Sequence, residues 1–223
     1  MQPYVPPANP DTQQLVEYLQ GSAESERVSL SRELHDELGG LLVSVVMDVA
    51  FAEQNLQIDD GLRLRLGRMR HSLAQAIDLK RRMIEHLRPS ILDNFGLFQA
   101  LRWEVKTRCN DARLMCNETY PVEEPSFTKE ALIGLFRIGQ EFLNIALGQP
   151  SVSTIHITVA VDADALRIVV SHDGRAALSQ NDEFAIRSTA HRAQTFDGQL
   201  SLRKLGEEGA VYCAQLPLAR LTQ

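Results

Sequence analysis

The stretch "SRELHDELGGLLVSVV", Ser31–Val46, decides the fold. Leu34, Leu38, Leu41, Leu42, Val45 and Val49 recur at the three- and four-residue spacing of one helix face. His35 lies one residue, about 100° of rotation, off that stripe. Asp36 stands beside it, and the glycine pair Gly39 and Gly40 follows one turn later. Packing alone requires neither a rim histidine next to an acid nor two glycines, each of which weakens a helix by about 1 kcal/mol relative to alanine. The stretch is therefore both a structural element and a candidate site.

Upstream, Pro3, Pro6, Pro7 and Pro10 mark residues 1–11 as a flexible N-terminal arm. Downstream, no proline occurs from about Thr12 to Gln57, and "QIDDG", ending at Gly61, reads as a short turn. Leu62, Leu66, Met69, Leu73, Ile77, Ile84 and Leu87 then approximate a heptad seam, which Lys80 interrupts. Two long helices joined by so short a turn lie antiparallel. One hairpin leaves half of each apolar stripe wet, so the pattern predicts a homodimer in which two hairpins form a four-helix bundle.

Pro89 ends the second helix, "RPSILDNFGLFQALRWEV" leads into a shorter one, and after about Arg113 the pattern becomes mixed. "LMCNETY" reads as a strand and "FTKEALIGLFRIGQEFLNIAL" as an amphipathic helix. "TIHITVAVDADALRIVVSHDG" is a hairpin around Asp162–Asp164, "DEFAIRSTAHRAQTF" a further helix, and "GQLSLRKLGEEGAVYCAQLPL" a hairpin turning at about Gly206–Gly209. The expected organisation is an arm (1–11), a helical hairpin domain (12–94) and an α/β sandwich (95–223), an α + α/β chain.

Bulk properties narrow the function classes. The 223 residues are 44% hydrophobic and 23% charged, ordinary for a soluble domain protein. A net charge of -6 gives a nucleic-acid partner little electrostatic support. No apolar run approaches the roughly 20 residues that span a bilayer, and "MQPYVPPANPDTQQ" lacks the regions of a signal peptide, so no membrane insertion and a cytoplasmic location are expected. Cys109, Cys116 and Cys213 show no CxxC spacing and read as reduced thiols. Glu123–Glu124 and Glu207–Glu208 read as solvated acidic turns, and the charges of "RMRHSLAQAIDLKRRM" as the wet face of the second helix. Arg81 and Arg82 there are alternatively complements to an acidic pocket on a partner.

"ERVSLSRELHDELGGLL" resembles the H-box of two-component histidine kinases, in the subfamily that pairs with NarL-type response regulators. "LRPSILDNFGLFQALRW" resembles the segment linking their phosphoacceptor hairpin to the ATP-binding domain. "GLFRIGQEFLNIAL" through "AQLPL" resembles that Bergerat-type domain, of the fold shared with gyrase, Hsp90 and MutL. The likeness covers about residues 24–218. It implies that His35 accepts a phosphoryl group and that Asp36 orients or deprotonates it; an imidazole suits this, with one ring nitrogen nucleophilic near neutral pH. A lone helical histidine is more often a plain surface residue, and His71, His86, His156, His172 and His191, lacking this context, read as ordinary surface or polar residues.

The sequence also departs from the family pattern. Gly40 occupies the place where a Gln or Thr positions a hydrolytic water. In the next box Glu141 fits, but Ile145 stands where an Asn ligates Mg²⁺, and Asn144 is one residue early; isoleucine offers a hard cation no oxygen. In "HDGRA", His172 stands where an aspartate accepts from the adenine amino group, and Ala176 where a glycine is usual. Asp173 is shifted by one and Gly174 is retained. "AIRST" puts Ala185 and Ser188 where glycines approach phosphate. Glu141, Asn144, Asp173 and Gly174 thus read as a vestigial, degenerate ATP site. No cofactor of its own is expected, Mg²⁺ being supplied by a receiver.

The leading expectation is a dimeric histidine phosphotransferase, relaying a phosphoryl group through His35 between aspartates of response-regulator receiver domains without ATP. The alternatives are a soluble histidine kinase that loads His35 from ATP and a non-enzymatic receiver-binding adaptor.

Overall fold

The computed structural model describes residues 3–4, 10–55, 59–87, 90–175, 177–205 and 208–222. In chain order the elements are β1 (Pro3–Tyr4), α1 (Pro10–Glu33), a π-helical turn (Leu34–Leu38), α2 (Gly39–Asn55), α3 (Asp60–Leu87), α4 (Ser90–Ala112), β2 (Met115–Thr119), α5 (Lys129–Leu147), β3 (Thr154–Val161), β4 (Ala165–Arg175), α6 (Gln180–Gln194), β5 (Gln199–Lys204) and β6 (Glu208–Pro217). A 3-10 turn, Leu218–Arg220, follows. The chain divides into two compact units, Gln20–Ser90 and the remainder, Met1–Leu19 with Ile91–Gln223.

In the helical unit, Glu53 pairs with Arg70 at 3.7 Å, while Gly39 faces Lys80. Rising numbers in α2 against falling numbers in α3 make the two helices antiparallel. Val49 and Leu66 are buried between them. Leu41, Val45, Phe51, Leu62, Met69 and Ile77 are all exposed. An open groove of about 640 Å³ runs among Val45, Arg65, Met69, Leu73 and Ala76. Two helices cannot enclose a core, and the apolar flank of this hairpin is left uncovered within one chain. Pro89 and Gln57–Ile58 of the inter-helix turn lie outside the described residues.

The other unit is a six-stranded sheet of order β1-β5-β6-β4-β3-β2 with helices on one face. β2 and β3 are parallel; every other pairing is antiparallel. The parallel pair needs a crossover, and α5 supplies it. Ile155, Ile157 and Val159 of β3 alternate with half-buried or exposed residues, as do Leu166, Ile168 and Val170 of β4. Period-two burial of this kind gives a sheet with one packed face. Above it α5, capped by Thr128 Oγ1 accepting from Ala131 N at 3.1 Å, buries Leu135, Ile138, Phe142, Ile145 and Ala146. A β-carbon on Gly139 would stand 2.7 Å from Leu101, so α4 lies directly against α5. The expected α + α/β architecture is the one observed.

Several local expectations need correction. The 1–11 arm is not wholly unstructured: Pro3–Tyr4 pair antiparallel with β5, and α1 already begins at Pro10, a residue well suited to a first helical turn. Residues 1–2 and 5–9 lie outside the described residues. Cys109 and Cys116 are joined in a disulfide rather than free. The left-handed residue Arg113 (φ 57°) turns the end of α4 straight into β2, which brings the two Cα atoms to 6.3 Å. Cys213 is the free, buried thiol.

Glu124 is not a solvated turn residue. Its carboxylate accepts from Leu97 N at 2.6 Å and Phe98 N at 2.7 Å, capping the helix that restarts after Gly96. Gly96 takes φ 82°, and a β-carbon there would collide with that carboxylate. Glu124→Ala removes the acceptor for two N–H groups and is expected to cost ~1–2 kcal/mol. Urea unfolding at unchanged m-value checks this, and an unchanged midpoint would contradict it. Glu207 and Ala176 lie outside the described residues, while Glu208 opens β6 opposite Arg175.

Candidate functional site

The long helix predicted through Thr12–Gln57 is interrupted where the chemistry is expected. Leu34–Leu38, "LHDEL", forms one π-helical turn between α1 and α2. None of its five residues is buried, so His35 and Asp36 both face solvent. A single π turn widens the helix locally and re-aims the side chains it carries, a device found at functional positions. Periodicity counting cannot see it, because one inserted residue leaves the apolar spacing on either side intact.

The two glycines have different roles. Gly39 is buried, and a β-carbon on it would come within 2.8 Å of Lys80 Nζ on α3. Gly40 is exposed and has open space where its side chain would be. Among the described residues, neither the His35 nor the Asp36 side chain makes a hydrogen bond or ion pair, so the imidazole stands free for an incoming group.

The residues read as a vestigial nucleotide site lie along α5 and the end of β4. Glu141 and Asn144 are half-buried, three residues apart and therefore neighbours on one helix face. Ile145 belongs to the core at 2% exposure. On β4 the period-two alternation puts His172 on the packed face and Asp173 on the open one. His172 is thus no surface histidine: it is 3% exposed, stacks on Tyr212 with ring centroids 5.8 Å apart, and has Nε2 3.4 Å from Tyr212 Oη. Burial lowers its pKa, which keeps the ring neutral, and the same burial pushes the Tyr212 hydroxyl up to about 12.

Asp173 is committed elsewhere. It accepts from Ser153 N at 2.8 Å, Thr154 N at 2.9 Å and Ser153 Oγ, fastening the start of β3. These hydrogen bonds, the Ser153 hydroxyl foremost, hold its carboxyl well below the usual carboxylate range. Gly174 is retained for a packing reason, since a β-carbon there would lie 2.8 Å from Val152 backbone atoms.

Gln149, which the sequence reading passed over, ties the region shut. Its Nε2 donates to Ile145 O at 3.0 Å, and its Oε1 accepts from Ala177 N at 3.1 Å. A Ser179–Asp182 capping box then starts α6 at Gln180, so little chain remains for a lid. Thus a buried isoleucine and a stacked histidine stand at the two places that the resemblance gives to the metal ligand and the adenine partner, and the Asp173 carboxylate is engaged on the opposite face.

Residues 26–92 match the family HisKA_3, described as histidine kinase. UhpB of Salmonella typhimurium, a signal transduction histidine-protein kinase/phosphatase, is 26% identical over 192 residues, covering 84% of this chain and 38% of UhpB. The sensor histidine kinase MctS of Rhizobium johnstonii is 29% identical over 206 residues, covering 87% of this chain and 43% of MctS. The chain therefore spans less than half the length of either relative. Among solved structures, the histidine kinase domain of the Erythrobacter litoralis EL346 blue-light activated kinase shares the fold at TM-score 0.53 and 15% identity, covering 88% of this chain and 95% of that domain. Among the described residues, no helix is long and apolar enough to cross a membrane.

Proposed function

For a chain whose residues 26–92 match the histidine kinase family HisKA_3, and which is similar along most of its length to signal transduction histidine kinases of the UhpB and DegS kind, we propose that His35 is the phosphoacceptor of a dimeric histidine phosphotransferase. It takes a phosphoryl group from the phosphoaspartate of one response-regulator receiver and passes it to another, with Asp36 orienting the imidazole or accepting its proton. The observation carrying the choice of donor is the buried Ile145 side chain in the metal-ligand place, with His172 and Asp173 engaged in packing and capping. A receiver brings its own Mg²⁺, so the phosphotransferase needs none of the missing oxygens. The uncovered apolar flank of the hairpin supports association of two chains.

A second reading has a specific observation in its favour. The relatives are named as kinases, and on those names alone His35 is loaded from ATP. Under either reading Gly40 offers no side chain to hold a hydrolytic water, although UhpB is named as a phosphatase too.

One experiment separates the two. The purified chain is incubated with labelled Mg-ATP, and in parallel with labelled phospho-receivers. Label passing from a receiver to His35, with none from ATP, is the expected result. His35-dependent labelling from ATP would establish the kinase instead.

A further inference from the structure

Lys80 is out of place in the seam it occupies. Leu73, Ile77, Ile84 and Leu87 flank it on the apolar run of α3, where an ammonium is an unfavourable neighbour. It is half-buried, and among the described residues its ammonium takes part in no ion pair or hydrogen bond. Its Nζ stands 2.8 Å from where a β-carbon of Gly39 would be. The helix-weakening glycine thus leaves space into which a cation reaches.

Gly39 lies four residues beyond His35, about one turn along the helix. That is roughly 6 Å along the axis, a gap that a lysine side chain and an imidazole carrying a phosphoryl group can close between them. Resting on the reading of His35 as phosphoacceptor, we propose that Lys80 is a phosphate-binding residue of that site, its ammonium contacting the phosphoryl oxygens.

The transfer balances without further groups. The lone pair of the attacking ring nitrogen forms the P–N bond as the P–O bond to the donor breaks. The donor is the acyl phosphate of a receiver or a nucleoside triphosphate, and the electron pair stays on the departing oxygen. The proton of the other ring nitrogen passes to Asp36 or water. Lys80 keeps its own proton throughout and offsets charge on the moving group.

Phosphoramidate, which phosphorylates exposed imidazoles without enzyme, ATP or receiver, supplies the test. The full chain and its variants are treated with phosphoramidate and followed by ³¹P NMR, with His35→Gln identifying the His35 signal. The parent chain is expected to form phosphohistidine. Lys80→Met is expected to form it about tenfold more slowly, with the phosphoryl titration midpoint raised by about one pH unit, because a nearby cation favours the dianion.

Lys80→Arg should stay close to the parent in both readouts. Lys80→Gln, which keeps a polar side chain but removes the charge, should shift the midpoint as Lys80→Met does; it keeps the test available if Lys80→Met misfolds. A parent-like rate and midpoint in Lys80→Met, or a parent-like midpoint in Lys80→Gln where Lys80→Met is unfolded, would overturn the assignment. Absence of phosphohistidine in the parent chain would instead overturn the reading of His35 itself.

Discussion

His35→Gln is expected to lose phosphoryl transfer by at least about a thousandfold, from any donor that loads the parent chain, with stability changed by no more than ~0.5 kcal/mol. The first half follows from the role of the ring nitrogen, which no amide replaces: a glutamine nitrogen has no available lone pair, and its oxygen forms no stable phosphoryl adduct. The second half follows from geometry. His35 is exposed on a π turn that buries none of its residues, and its side chain makes no hydrogen bond or ion pair among the described residues. Phosphoryl transfer is measured with labelled receivers, and stability by urea unfolding. Retained transfer would place the acceptor on another histidine. Transfer that is absent even in the parent, together with receiver-dependent signalling that survives the substitution, would favour the adaptor.

Phe142→Ala is the largest expected loss of stability, ~3–5 kcal/mol. Phe142 is fully buried on the sheet-facing side of α5, with its ring centroid 5.8 Å from that of Tyr212, which in turn stacks on His172. Removing the ring empties one end of this three-ring stack and leaves a void against Tyr212 that backbone in β4, β6 and α5 cannot relax to fill. For a domain of marginal stability that is a large fraction of the total. Urea unfolding by far-UV circular dichroism should show a biphasic curve: the sheet unit is lost early, while the helical hairpin, which contains none of these residues, retains its own transition. A midpoint within ~1 kcal/mol of the parent would mean that the stack is not a packing centre.

Long-period signals were legible in the sequence. The alternation of β3 and β4, the amphipathic run of α5 and the seam of α3 each repeat over enough residues to specify an element without tertiary information. His35 was legible for a different reason, because it stands with an acid and two glycines at the rim of a stripe. What escaped depends on single residues meeting partners far along the chain. Glu124 reaches back to the N–H groups of Leu97 and Phe98, and Lys80 crosses to Gly39. Gln149 joins α5 to the segment after β4. None of these contacts has a period, and none is local. The π turn was invisible for the complementary reason that it is too local to disturb a period. His172 was misread because its exposure is set by the strand register of β4, which places it, rather than Asp173, under the helices.

The strand order has a consequence for how the protein comes off the ribosome. The helical hairpin is made of contacts between residues near in sequence and can form as soon as α3 has emerged. The sheet cannot. Met115 of β2 must find Thr154 of β3 across the whole of α5, and Pro3 of β1 pairs with Ser201 of β5. β1 therefore waits for β5 before it has a neighbour, so closure of that edge follows synthesis of every element between them. During synthesis the histidine-bearing hairpin is ready before the sheet that follows it can close.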